Sequence, residues 1–385
     1  MISTLDVELA DRLHRLDLLS AKRIALCLQE LSARKDGASL AELVVQSGLL
    51  QKEDVDNVIF GETGGRNFHD YQIIDTVGQG AFAWVYLARE PAMGQRVALK
   101  VLRQKFLGSI RVIKRMKREA QLGSIVKHPN VAGVYARIIK PDEVFMTMEF
   151  VNGLPLGKII KRLGPLPRPV AVYIAMNIAE ALKGLNQFCI VHRDIKPANI
   201  LVDISGVAKL VDFGVAKRLA VDDGIPVKRL LLGTRGYVSP EQIEDPRWVD
   251  VRSDIFSLGV TLFDMLAGTI SARVAREDKE KSLTAQRPKL ELMEPMVEPD
   301  LIDIVDKMTQ LEPIRRYQDP EELSQALQAA LKTSVADATA GVQWVVSEAM
   351  YREATGHLWL ERGALAEEEE EKESTELITT TIQTV

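Results

Sequence analysis

The 385-residue chain is poor in several things, and each shortage narrows what it can be. Cysteine occurs only at Cys27 and Cys189, far apart and without a metal-ligand spacing, which fits a reducing cytoplasm. No window reaches the roughly 18 to 20 unbroken apolar residues that a membrane span needs. The opening Met-Ile-Ser-Thr-Leu-Asp-Val-Glu has no basic region ahead of an apolar one, so neither span nor leader is expected. Basic charge is not in excess: the formal net charge is -5, which argues against a nucleic-acid binder or a membrane-surface protein. Between Phe213 and Leu232 there is no serine, threonine or tyrosine at all.

The length allows two or three domains with a sizeable core. The most informative stretch runs from Ile190 to Gly214: Ile-Val-His192-Arg193-Asp194-Ile-Lys196-Pro-Ala-Asn199-Ile-Leu-Val, then Lys-Leu-Val-Asp212-Phe213-Gly214. Two carboxylates, a lysine and an amide sit on short loops between β-branched runs, an arrangement suited to phosphate and metal. A hydroxyl attacking a phosphoryl group needs a carboxylate to orient it, and the transferring group needs cations against its oxygens. Asp194 can supply the first and Lys196 a point charge for the second. Asn199 and Asp212 offer the oxygen donors that Mg2+ takes alongside substrate phosphates. Each piece alone is ordinary; their joint occurrence in order is not.

This segment resembles the catalytic loop and metal-binding turn of the eukaryotic-like, bacterial-type protein serine/threonine kinases, and Lys196 is similar to the residue that marks the serine/threonine subclass. The resemblance implies an α+β bilobal fold over residues 70–332, with a small β-rich lobe at 70–151 and a larger helical lobe at 152–332. It also implies ATP and Mg2+ as cofactors. Gly78-Gln-Gly80-Ala-Phe-Ala83 lies between two strands and not at the start of a helix, so it is no dinucleotide fingerprint. Twenty residues past Gly80, Val-Ala98-Leu-Lys100 ends an apolar run, as in the kinase loop that covers the phosphates and its lysine. Without Cβ atoms at Gly78 and Gly80 the backbone amides can approach phosphate, while Ala83 stands where the family has a third glycine.

Glu119, in the basic segment Arg111–Leu122, occupies the place of the glutamate that pairs with Lys100. The cations around it are read as a solvated face, with a docking face for an acidic partner as the alternative. By the same resemblance Met148 guards the rear of the nucleotide pocket, the backbones of Glu149 and Val151 meet the adenine, and Val77, Val85, Ala98 and Leu201 form its walls. Val170, Ile174, Ile178, Leu182 and Leu185 form one apolar helical stripe. Cys189 stands where the resembling family usually has glycine and is taken as buried filler, not a nucleophile. Ser239-Pro-Glu241 closes the substrate-binding segment, Arg316 matches the partner of Glu241, and Asp254 matches the aspartate that caps the catalytic-loop backbone. Arg193 ordinarily faces a phosphate on the loop that lacks acceptors here. Asp222 and Asp223 are the residues there that could offset it, and Thr234 is expected to hydrogen-bond near Asp194.

Residues 1–66 read as a helical module ahead of a Gly64-Gly65 linker. It shows a weak internal repeat: Asp17-Leu18-Leu19 with Ile24, Cys27 and Leu28 matches Gly48-Leu49-Leu50 with Val55, Val58 and Ile59 at an offset of 31 residues. Partner docking or self-association is one role for it, a plain packed appendage the other. Residues 333–385 are expected to hold a helix over 342–360 and a disordered acidic tail. The expected function is transfer of the γ-phosphate of ATP to protein serine or threonine hydroxyls. The alternative is a nucleotide-binding pseudokinase scaffold; small-molecule phosphotransfer is disfavoured by the peptide-loop likeness at Gly233–Glu241.

Overall fold

A computed structural model describes residues 3–16, 18–34, 38–62, 67–140, 143–219, 236–245, 248–268 and 297–355. The chain divides into two compact units, Met1–Val97 with Met350–Val385, and Ala98–Ala349. Thr234, Asp222, Asp223, the Gly64-Gly65 linker, most of 270–299 and the acidic tail lie outside the described residues.

The first unit opens with four helices, α1 (Thr4–Arg15), α2 (Ala21–Ala33), α3 (Leu40–Gln46) and α4 (Lys52–Glu62). Ser3 caps α1 in a reciprocal box with Asp6, and Ser39 does the same for α3 with Glu42. Asp6 also accepts the Leu40 N–H at 2.7 Å, which joins the starts of α1 and α3.

The 31-residue repeat is present in the backbone. Leu18 and Leu19 donate their N–H groups to Leu13 O at 2.9 and 3.2 Å, and Leu49 and Leu50 donate to Val44 O at 3.1 and 3.4 Å. Leu9, Leu13, Ile24 and Cys27 are buried, and so are their counterparts Leu40, Val44, Val55 and Val58. The helices are followed by the antiparallel strands β1 (Asn67–Phe68), β2 (Tyr71–Gln79) and β3 (Ala83–Arg89). The β2–β3 turn carries Gly78 and Gly80 and closes through Gly80 N–H to Ala83 O at 2.8 Å.

The second unit begins on β4 (Arg96–Leu102) and continues through α5 (Ile110–Ile125), β5 (Val134–Lys140) and β6 (Glu143–Glu149), with the three strands ordered β4-β6-β5. Gly123 lets α5 lie tight on β5, since a Cβ there would meet Val134 Cγ2 at 2.6 Å. Then come β7 (Gly153–Pro155), α6 (Leu156–Leu163), α7 (Arg168–Asn186), β8 (Ile190–Val191), β9 (Ile200–Asp203), β10 (Ala208–Leu210), β11 (Lys217–Arg218), α8 (Pro240–Glu244) and α9 (Val251–Ala267). Helices Pro299–Met308, Pro320–Ala330 and Val335–Thr355 follow.

The predicted stripe on α7 is buried at all five positions, and α9 is buried from Val251 to Leu266 except at Arg252. These two helices form the core beneath the loops that follow β8 and β10.

Two expectations need correction. Cys189 is exposed, because its φ of 54° turns the chain sharply between α7 and β8, a left-handed conformation that suits the glycine of the resembling family. The last described helix begins at Val335 and not at 342. It buries Ala338, Val342, Val345, Val346 and Ala349 while Trp344 and Tyr351 face outward.

Candidate active site

β4 buries Val97, Ala98 and Leu99 in a row and then carries Lys100 half-buried, and α5 turns Met116, Glu119 and Ala120 inward on one face. The two elements bring Lys100 Nζ to 2.5 Å from Glu119 Oε1 and 3.9 Å from Asp212 Oδ1. Burial works against the Lys100 ammonium, but the carboxylates of Asp212 and Glu119 outweigh it and raise its pKa. For Asp212, burial alone would favour the neutral acid. Lys100, Arg115 and the Gly214 N–H, which donates to Oδ1 at 3.1 Å, hold it down to about 2 instead.

The loop after β8 is built on a buried carboxylate. Asp254, in the first turn of α9, accepts the N–H groups of His192 at 2.7 Å and Arg193 at 2.8 Å. Burial pushes its own pKa up to about 7 against those two donors. His192 is fully buried. Its Nε2 lies 3.2 Å from Val211 O, and since a carbonyl only accepts, that nitrogen carries the proton. Its ring meets the edge of Phe213 at 5.2 Å, so the two loops share one buried plug.

Arg193 and Asp212 both sit at positive φ, 69° and 68°, a conformation costly for residues with a Cβ and characteristic of sites that aim a side chain. Asp194 then receives Lys196 Nζ at 2.8 Å and Asn199 Nδ2 at 2.9 Å on the same oxygen. Asn199 Nδ2 also donates to Asp194 O at 2.7 Å.

With its amide nitrogen engaged on Asp194, Asn199 has its Oδ1 left to offer a cation. Asp212 offers a carboxylate held ionised. Among the described residues no cluster of three or more His, Cys, Asp or Glu could hold a metal by itself. Two oxygen donors of this kind fit magnesium, which ordinarily completes its shell from phosphate oxygens and water.

The remaining sequence-predicted positions fall in two places. In the second unit, Ala98, Met148 and Val151 are buried and Leu201 half-buried. Glu149 donates its N–H to Gly133 O at 2.8 Å, so its carbonyl is the backbone group it can offer a base; its carboxylate pairs with Lys209 at 2.7 Å. In the first unit, Val77, Gly78, Gly80 and Val85 all belong to the β2–β3 hairpin. Ala83 is buried and is not at positive φ, so its methyl group is accommodated without backbone strain.

The model of the protein kinase domain matches residues 71–330. The chain belongs to the protein kinase family. It is 36% identical over 262 residues to the serine/threonine-protein kinase PrkC of Bacillus subtilis, covering 68% of this chain and 40% of that protein. Against the probable serine/threonine-protein kinase PknB of Lactococcus lactis it is 34% identical over 267 residues, covering 67% of this chain and 42% of the relative. The kinase chain thus spans well under two thirds of the length of these curated relatives. The crystal structure of the Mycobacterium tuberculosis PknI kinase domain shares the fold at a TM-score of 0.54 and 24% identity, over 69% of this chain and 98% of that one.

Some residues packed around these loops were not singled out from the sequence. Arg115 belongs to the segment read as a solvated basic face, yet it lies against the metal turn: a Cβ at Gly214 would meet Arg115 Nε at 2.6 Å. Its spacing of four from Glu119 was the available signal, since that spacing puts both on one helical face. Gln242, in α8, donates from Nε2 to Arg193 O at 3.0 Å. Ser239, standing for the family's alanine, caps α8 in a box with Gln242. No helix among the described residues is long and apolar enough to cross a membrane.

Proposed function

We propose that the chain is an ATP- and magnesium-dependent protein serine/threonine kinase, with its catalytic region in residues 70–332, a regulatory helical module in 1–66 and an accessory helix and acidic tail in 333–385. The observation that carries the reading is the convergence on one unit of Lys100, paired with Glu119 and near Asp212, and of Asp194, held by Lys196 and Asn199. A scaffold that had lost phosphotransfer would have no use for this full set of charges at these distances.

In the proposed reaction Asp194 orients the substrate hydroxyl and accepts its proton as the oxygen attacks the outer phosphorus, whose bond to the bridging oxygen breaks so that ADP leaves with that electron pair. Lys196, already 2.8 Å from Asp194, places a positive charge beside the transferring group. Lys100 binds the inner phosphates, and Glu119 fixes its direction. Asn199 and Asp212 would hold magnesium, which would neutralise charge on the phosphate oxygens. In the second unit Ala98, Met148 and Leu201 are the apolar positions for the adenine and the backbones of Glu149 and Val151 read its edge; in the first unit the β2–β3 hairpin offers Val77 and Val85.

Proteins bearing serine or threonine are the substrates, inside the cytoplasm. The test is transfer of labelled phosphate from ATP to a generic basic protein by the wild-type chain and by Asp194→Asn. Transfer by the first and none by the second supports the reading. Nucleotide binding without transfer by the wild type would establish the scaffold alternative.

A further inference from the structure

The phosphate-covering turn is tied to the N-terminal helices. Gln79 is the residue between Gly78 and Gly80, and its Nε2 donates to Asp54 Oδ1, in the first turn of α4, at 3.2 Å. Asp54 is 7% exposed. A second link lies on the same strand: Arg12 of α1 reaches Asp75 Oδ1 at 3.7 Å while its Nη1 donates to Val58 O of α4 at 3.3 Å. One guanidinium therefore joins two helices of the module to β2. The strand is irregular at and between these links, with register shifts against β3 between Ile73 and Asp75, leading into the first link, and between Thr76 and Gly78, between the two. Such bulges let a strand be re-aimed by what holds its ends.

The glycines of the turn are not required by packing inside the protein. A Cβ at Gly78 would meet nothing within 4 Å, and at Gly80 only Ala83 O at 3.4 Å. Within the hairpin the turn is closed by the bond from Gly80 N–H to Ala83 O, and the side chain between the two glycines adds a hold from outside the hairpin.

We propose that Asp54 is a positioning residue for the phosphate-covering turn: by holding Gln79 it makes the helical module of residues 1–66 a regulator of nucleotide affinity. The proposal rests on the kinase reading above for what the turn covers. A turn held in one place gives up less conformational freedom when phosphate binds, so release of the tether weakens ATP binding. Anything that moves α4 relative to β2 then acts on ATP. That turns the internal repeat from a packed appendage into an input device, because α4 is the second arm of its second copy.

The experiment uses the full chain. Wild type, Asp54→Ala, Asp54→Asn, Gln79→Ala and the double alanine variant are compared by initial rates of phosphotransfer across ATP concentrations and by equilibrium binding of a fluorescent ATP analogue. Each alanine variant is expected to raise KM for ATP and Kd for the analogue by about three- to tenfold, more than it lowers kcat. The double variant should be no worse than the weaker-binding single one, because both remove the same bond. Asp54→Asn keeps an accepting oxygen and should stay near wild type, an outcome that a purely structural loss would not produce.

Additive effects in the double variant, or unchanged KM and Kd in Gln79→Ala, overturn the proposal. Should Asp54→Ala fail to fold, Gln79→Ala on the half-buried hairpin side still carries the test. A wild-type chain that binds the analogue but transfers nothing sinks the kinase reading alone, and the Kd comparison then still decides the tether.

Discussion

Arg316 grips Glu241 through both carboxylate oxygens, Nη1 to Oε1 at 2.7 Å and Nη2 to Oε2 at 2.9 Å. The same guanidinium donates to the carbonyls of Gln310, Arg252 and Leu311 at 2.7, 2.9 and 3.0 Å and is fully buried, so its charge depends on Glu241 for compensation. Glu241→Gln leaves that charge buried without a counterion, and the expected cost is about 3 kcal/mol or more in a urea titration. A loss below about 1 kcal/mol would show that the pair contributes little.

The same pair sets an acid limit. Burial alone would push the Glu241 carboxyl up, but Arg316 and the Ser253 hydroxyl outweigh it and hold the group below its ordinary 4.5. A lowered folded-state pKa means the contribution is complete above 4.5 and is lost as pH falls below it. Wild-type stability should therefore decline below about pH 4.5, and Glu241→Gln should flatten part of that decline. Parallel curves for the two chains would rule the linkage out.

Asp194→Asn tests the proposed base apart from the fold. Asparagine keeps an oxygen for Lys196 and Asn199 but cannot take a proton, so kcat should drop by about a hundredfold or more. Affinity for an ATP analogue should stay within about twofold, since Lys100 and Glu119 are untouched. A variant that loses nucleotide affinity as much as turnover would place Asp194 in binding and not in proton transfer.

The kinase fold was legible because its chemistry-bearing residues are close in sequence to their own loops: His192 to Asn199 and Asp212 to Gly214 are each one short segment between strands. The α7 stripe was legible for a different reason, a 3.6-residue period with one buried face. Arg115 was missed because a basic run looks the same whichever of its cations turn away from water. Cys189 was misjudged because a cysteine carries no sign of φ in its own residue type, and the family's glycine at that place was the signal passed over. A small apolar residue suggests filler, and only the backbone turn shows that the side chain points outward. The tether from Asp54 to Gln79 joins positions 25 residues apart, with nothing in either residue type to announce it.

Cys189 yields a prediction of its own. It occupies the left-handed region at φ 54° and is exposed, whereas Cys27 is buried in α2. A maleimide applied to the folded chain should label one thiol, at Cys189, and the second only in denaturant. Cys189→Gly should raise stability by about 1 kcal/mol, because glycine adopts this conformation without the steric penalty. Labelling of both thiols at equal rates, or a destabilised glycine variant, would contradict the placement.

Activity should not depend on phosphate in the segment between Phe213 and Leu232, where no hydroxyl exists to receive it. In this chain the backbone around Arg193 is held by other means: Asp254 accepts the Arg193 N–H at 2.8 Å, and Gln242 donates to its carbonyl at 3.0 Å. Two helices thus fix the loop that aims Asp194 through hydrogen bonds of the chain's own making. Treatment with a broad phosphatase, followed by its removal, should leave the initial rate within about twofold, whereas Gln242→Ala should lower kcat by about tenfold by freeing the Arg193 carbonyl. If dephosphorylation abolishes activity and Gln242→Ala does not, the loop is set by a phosphate elsewhere. Thr234, just past the acceptor-free stretch, is then the residue to replace with valine.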